Sequence, residues 1–354
     1  MTRSVGKKEK MIRPETRGEQ DQQPGEYDQI RREAINRLSD EAVREIARKA
    51  RVSVTNSSDR LQSNARELLH DRLKEVTYLA LQLGLIQVSE ITFLTGLPRL
   101  QKLFLSHANI NDLSPLVGVP QLHMLDLSHT TINELSPLAR LTRLHVLNLT
   151  DTNIGDLSLL AGLTQLRALE LIWVDVSDLS PLAGLTQLQT LVLSDTNVSD
   201  LSPLAGLTQL QTLCLTFTHV YDVSPLAKAT QLHILGLGYT PISDLSPLAG
   251  LFRLQSLDMG DTNVHDLSPL GALTQLQFLN LNGLQVSDLS PLTHLRYLEE
   301  LHIARTEIQD VTLLTQGHFP ELKRLTVGNN IPQKHVETLQ RQLPNCNIKV
   351  ETVC

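Results

Sequence analysis

The chain has 354 residues, 41% hydrophobic and 19% charged, a composition ordinary for a soluble globular protein, and it has no run of 18 apolar residues that would span a membrane. Aromatic residues make up only 3%, which argues against one compact core and for an elongated core built from leucine. The net charge of −7 is uneven: residues 1–78 hold 17 Lys and Arg against 14 Asp and Glu, and residues 79–354 hold 14 against 24, which disfavours the long C-terminal part as a nucleic-acid clamp and favours a basic partner or none.

Residues 1–27 are polar and rich in Gln, Glu and Lys, and are expected to be a disordered tail. Their charged start is not followed by an apolar stretch, so no secretory signal is expected. Cys214, Cys346 and Cys354 have no paired spacing, which fits a reducing compartment, and the expected location is the cytoplasm. Residues 28–76 contain two segments with apolar residues at helical spacing, DQIRREAINRLSDEAVREIARKA and SSDRLQSNARELLHDRLKEV. Ser39-Asp40 and Ser57-Ser58-Asp59 are candidate N-caps, and the region is expected to form a helical N-terminal cap. Self-association or nucleic-acid binding through these helices is the alternative.

Residues 77–330 are internally repetitive. Leu-x-Leu pairs, or close substitutes, begin at Leu81 and Leu103 and then every 22 residues to Leu301. The register slips by two at QGHFPE, and Leu325 follows. The sixteen residues VSDLSPLAGLTQLQTL occur identically at 176–191 and 198–213. The first half of the unit LxxLxLxxTx(V/I)xDLSPLAGLTQ alternates as a short strand with one buried face. In its second half Ser is placed to cap one helical turn, Pro to occupy its first position and Gly to end it. One such unit cannot bury its leucines alone. About twelve stacked units build an α/β solenoid, curved, with parallel strands on the concave face and short 3-10 or helical turns on the convex face. Residues 331–354 read as a C-terminal cap, an amphipathic helix followed by a strand around Asn347–Val350.

These repeats resemble the leucine-rich repeat family, and ISDLSPLAGL at 242–251 is similar to the bacterial internalin type of 22-residue repeat. The resemblance implies protein recognition across the concave face. Many leucine-rich repeats have Asn after the strand, whereas Thr130, Thr152, Thr196, Thr218, Thr240, Thr262 and Thr306 stand there in this chain. The resemblance also keeps a host-directed effector or adhesin as an alternative function.

Because the repeats align, what varies at exposed positions is informative. The column two residues after the Leu-x-Leu pair runs from Leu85 through His107, His129, Asp151, Trp173, Asp195, Phe217, Tyr239, Asp261, Gly283 and Arg305 to Asn329, and is expected on the concave strand face. Trp173 is the chain's single tryptophan and stands where the next repeat has Asp195. Trp173, Phe217 and Tyr239 are read as apolar anchors for a protein partner, with Ile172 and Val174 extending their surroundings. Asp151, Glu170, Asp195 and Asp261 are read as carboxylates that select a partner with a basic surface. No phosphate loop, HExxH helix, CxxC pair or acidic calcium loop occurs, so a non-catalytic scaffold without cofactor is expected. His107, His129 and Asp151 form a row, which is a poor arrangement for tetrahedral zinc.

Overall fold

The structure is a computed structural model that describes residues 46–47, 69, 71, 73–80, 91–92, 94–95 and 97–351. The expected tail and nearly all of the expected N-terminal helices lie outside the described residues. Ile46, Ala47, Leu69 and Leu73 are buried in the same continuous apolar cluster as the leucines that follow.

Among the described residues, thirteen short parallel strands form one sheet in chain order, from β1 (Tyr78–Ala80) to β13 (Asn347–Glu351). Most are only three residues long, as in β5 (Ala168–Glu170), β6 (Thr190–Val192) and β7 (Thr212–Cys214). Leu169, Leu191 and Leu213 lie side by side in successive strands. Each is buried and packs on its neighbours, so one repeat's core is supplied by the next. Short 3-10 segments such as Ser180–Leu182, Ser202–Leu204 and Ser246–Leu248 return the chain on the opposite side. They occupy more width per repeat than a strand spacing of about 4.8 Å, which bends the stack so that the strands line the concave face.

The register departs from the sequence reading at the N-terminal end. Leu79, not Leu81, pairs with Leu103, so the first interval is 24 residues. A shift of two leaves the inward face unchanged, which is why Leu79-Ala80-Leu81 admits either register by pattern. The same 24-residue interval separates Leu301 from Leu325. Beyond it the helix α1 (Gln333–Gln342) buries Val336 and Leu339, and β13 pairs with the preceding strand, Arg324–Gly328.

The caps of the 3-10 turns also differ from the expectation. Leu, not Ser, stands at the cap position, and it makes no side-chain bond. The carboxylate two residues before each Ser does the work. Asp178 accepts the Ser180 backbone N–H at 2.8 Å and its hydroxyl at 2.9 Å, and Asp200 and Asp244 serve Ser202 and Ser246 in the same way. These bonds hold the Asp178, Asp200 and Asp244 carboxyls below the ordinary aspartate range. The same happens at Asp266, Asp288 and Asp310.

The Thr column is buried, and each hydroxyl donates to the carbonyl three residues back, from Thr130 to Leu127 at 2.6 Å through Thr306 to Ile303 at 2.8 Å. Ala108, Val174 and Leu284 replace Thr in this column and are buried there. Val174 is therefore scaffold and contributes nothing to an exposed surface.

Two predictions follow from these bonds. A folded-state pKa held below the unfolded one contributes stability above the unfolded value and loses it as pH falls through the folded one. Stability to urea should therefore drop as pH falls below about 4, and the drop should be shallower for Asp200→Asn/Asp244→Asn/Asp266→Asn, which keeps an acceptor but cannot titrate. Separately, Thr240→Val should cost about 1 kcal/mol and Val174→Thr should gain a similar amount, both read from the urea midpoint.

Candidate functional site

The column that contains Trp173 lies one step beyond where its pattern placed it. The strands end before it, and its residues sit in the turn that carries the chain off the concave face. Every member from His107 to Arg305 has positive φ, 53–59° for the non-glycine residues and 76° at Gly283. Each backbone N–H from His107 to Gly283 donates to the next repeat, as from Asp151 to the Ile172 carbonyl at 2.8 Å and from Trp173 to the Ser194 carbonyl at 3.2 Å. The turns therefore form a second backbone ladder parallel to the sheet.

A left-handed backbone discriminates between side chains. Asp, Asn and Gly tolerate it, and His is also enriched there, whereas a bulky residue pays about 1–2 kcal/mol. Asp151, Asp195, Asp261 and Gly283 thus follow from backbone geometry alone. Trp173, Phe217, Tyr239 and Arg305 do not.

The aromatic side chains remain accessible, with Trp173 59% exposed, Phe217 50% and Tyr239 49%. Phe217 and Tyr239 stack with centroids 4.2 Å apart and ring planes 11° apart. The Trp173 indole has no ring or hydrogen-bonding partner among the described residues. Ile172 is half-buried and adds only a partial apolar margin beside Trp173. In the same two repeats Cys214 and Gly236 pair side by side on adjoining strands, and Gly236 and Gly238 are buried. Burial and the nearby Asp258 charge push the Cys214 thiol up, so it is not an activated nucleophile.

The acidic residues expected to face a partner divide into two groups. Asp261 is occupied by a bidentate ion pair, accepting from Arg305 Nη1 at 2.8 Å and Nη2 at 2.6 Å. The pair spans two repeats and passes over Gly283, where a Cβ would lie 2.2 Å from Asp261 Oδ1. Glu300 is likewise met by Arg324 and His302, and Glu299 by Lys323. Nearer the centre, Asp151 binds His129 Nδ1 at 2.9 Å. Asp195 is exposed, and neither its carboxylate nor that of Glu170 has an ion pair or hydrogen bond among the described residues. Glu170 is half-buried on β5, and burial together with the Asp126 charge pushes its carboxyl up. The Thr150 hydroxyl, on a residue only 8% exposed beside Asp151, has no partner among the described residues either.

His107 and His129 stack with ring planes 3° apart, so their lone pairs run parallel and do not converge on one ion. Among the described residues no group of three or more His, Cys, Asp or Glu is placed to hold a metal. No helix among them is long and apolar enough to cross a membrane.

A model described as leucine rich repeats (2 copies) matches residues 120–162, 186–228 and 253–294, and one described as leucine rich repeat matches residues 74–132. The chain is similar to the solved structure of an internalin from Listeria monocytogenes, with 29% identity, a TM-score of 0.75, and coverage of 91% of this chain and 93% of that one. A leucine-rich repeat protein from Leptospira interrogans matches at 19% identity with a TM-score of 0.65, covering 73% of this chain and 74% of the other. The functional domain of InlJ from Listeria monocytogenes matches at 21% identity with a TM-score of 0.62, covering 80% and 64%. These last two show a shared fold alone. No curated protein matches the chain by sequence.

The Gly283 bridge yields a prediction. Gly283→Ala adds a Cβ against Asp261 and a left-handed penalty, so the urea midpoint should fall by an amount equivalent to about 1–2 kcal/mol. An unchanged midpoint would show that Arg305 and Asp261 do not depend on the missing Cβ.

Proposed function

The chain belongs to the leucine-rich repeat proteins of internalin type, and from that premise we propose that it is a non-catalytic module that binds a partner protein through its concave face and the adjoining row of left-handed turns. One observation carries this reading: Trp173, Phe217 and Tyr239 are exposed at backbone positions that favour Asp, Asn or Gly. Local strain at an exposed aromatic has no benefit to the scaffold, whereas Trp and Tyr are the side chains that most often anchor interfaces. The members of this column that suit the backbone, Asp151 and Asp195, alternate with those that do not. Ile172 widens the apolar margin beside Trp173. Asp261, held by Arg305, serves the row by positioning its neighbour and is not a free carboxylate for a partner.

The reading places the module in a reducing compartment, the cytoplasm, which the free thiols Cys214 and Cys346 fit. Recovery of the native protein from culture medium would overturn that placement in favour of a host-directed role. For the binding face, a cross-linked pull-down from native lysate compares wild type with Trp173→Ser/Phe217→Ser/Tyr239→Ser. The triple variant should keep the wild-type circular dichroism and lose the partner. Retention of the same partner by the folded variant would remove the concave row as the binding site.

A further inference from the structure

The acids on this face are not treated alike. Towards the C-terminal end each has an internal partner: Asp261 has Arg305, Glu300 has Arg324 and Glu299 has Lys323, while Asp258 accepts from Asn280 Nδ2 at 2.8 Å and from the Gly260 backbone N–H at 3.1 Å. Around Trp173 the pattern stops. Asp195 and Glu170 have no cation among the described residues, although Arg167 lies three residues before Glu170 in the same repeat. Backbone preference explains Asp195, but Glu170 is on a strand, where no left-handed turn calls for it. A half-buried carboxylate without a cation or a donor costs free energy, and its neighbour Asp126 adds to that cost. A cation from outside the chain would relieve that cost, at a place where an open indole face is also available.

Resting on the reading above that this face binds protein, we propose that Trp173, Glu170 and Asp195 form a receptor for one Arg or Lys side chain of the partner, and that the Phe217–Tyr239 stack receives a large apolar side chain of the same segment. The basic group lies against the indole face and is neutralised by the two carboxylates, a cation–π contact with charge complementarity.

Strand spacing fixes the distance between the two subsites. Phe217 and Tyr239 lie two and three repeats beyond Trp173, so the centre of their stack is about 12 Å away. An extended segment advances about 3.3 Å per residue and turns alternate side chains to the same face. The basic and apolar residues of the partner are then about four positions apart, at i and i+4. A spacing of i+3 places them on opposite faces.

Short acetylated peptides with Arg and Phe at i and i+4, in both orders, test this directly. Trp173 is the chain's single tryptophan, so its fluorescence reports its own subsite. In the better order, the Arg peptide should bind at least about tenfold more tightly than the same peptide with citrulline, which keeps the shape without the charge. The i+3 peptide should lose a similar factor. Glu170→Gln/Asp195→Asn should abolish the preference for Arg over citrulline while leaving the circular dichroism unchanged. Equal affinity for Arg and citrulline, or no saturable response from any peptide up to about 1 mM, overturns the proposal. Failure of the broader reading is distinguishable. If a lysate partner is lost in the triple Ser variant while the peptides show no charge preference, the face binds protein by other means. If that partner is retained, the face itself is wrong.

Discussion

Leucine packed on leucine at a fixed register is the constraint on which the rest of the molecule depends. A repeat in this solenoid has no core of its own: Leu191 is covered by Leu169 on one side and Leu213 on the other. A slip of one residue would turn every leucine of a strand to water, so the register is fixed wherever repeats meet. A slip of two keeps the inward face, and the chain uses it at both ends, between Leu79 and Leu103 and between Leu301 and Leu325. Once the leucines are aligned, all other positions are aligned too. Asp before Ser, Thr after the strand and the left-handed residue between them each become a straight row across the molecule.

In the left-handed row the needs of the scaffold and of the surface compete. The backbone there donates a hydrogen bond to the next repeat, so its conformation cannot relax to suit a bulky side chain. Most members accept the constraint and use Asp, His or Gly. Trp173, Phe217, Tyr239 and Arg305 do not, and three of these four place large aromatic rings in the open. The fourth, Arg305, reaches back over Gly283 to hold Asp261. Its raised pKa reflects first the Asp261 hydrogen bond and also the neighbouring Tyr239 hydroxyl, so the charged clamp and the aromatic stack are physically continuous.

Much of this was legible in the sequence, because the fold is a consequence of period. The 22-residue spacing and the alternation around each leucine gave the strands, their parallel order and the turns on the opposite side. The exposed aromatic residues were visible as departures from a repeating column. What was hidden required knowledge of φ or of neighbours far apart in sequence. Nothing in a Leu-x-Leu pattern shows that the strand stops after three residues, so the Trp173 column was read as strand when it is a turn. Ser in DLSPL has the chemistry of a cap, but the Asp before it reaches the same N–H with a charge, and geometry decides between them. Val174 looked like an extension of Trp173, yet alternation resumes after the turn and puts it in the buried Thr row. The Arg305–Asp261 pair joins residues 44 apart across a glycine, a contact that only the stacked structure brings together.

The distribution of internal ion pairs gives the face a direction. Its C-terminal part is closed on itself, with its acids already met by bases or, at Asp258, by amide donors, so a partner there would have to replace satisfied contacts and gain little. Its centre holds carboxylates without cations and aromatic faces without covers, fixed on a backbone whose hydrogen bonds run across several repeats. Side chains held this way lose little freedom when a partner arrives, which is how a small number of residues contributes measurable affinity. The identical stretches at 176–191 and 198–213 sharpen the point. Scaffold residues there carry no information that distinguishes one repeat from the next. The difference between these repeats lies almost wholly in the strand and turn side chains that follow, such as Val192 and Asp195 against Cys214 and Phe217. Any selectivity this surface has must therefore be written in those few positions and in the strand spacing that separates them.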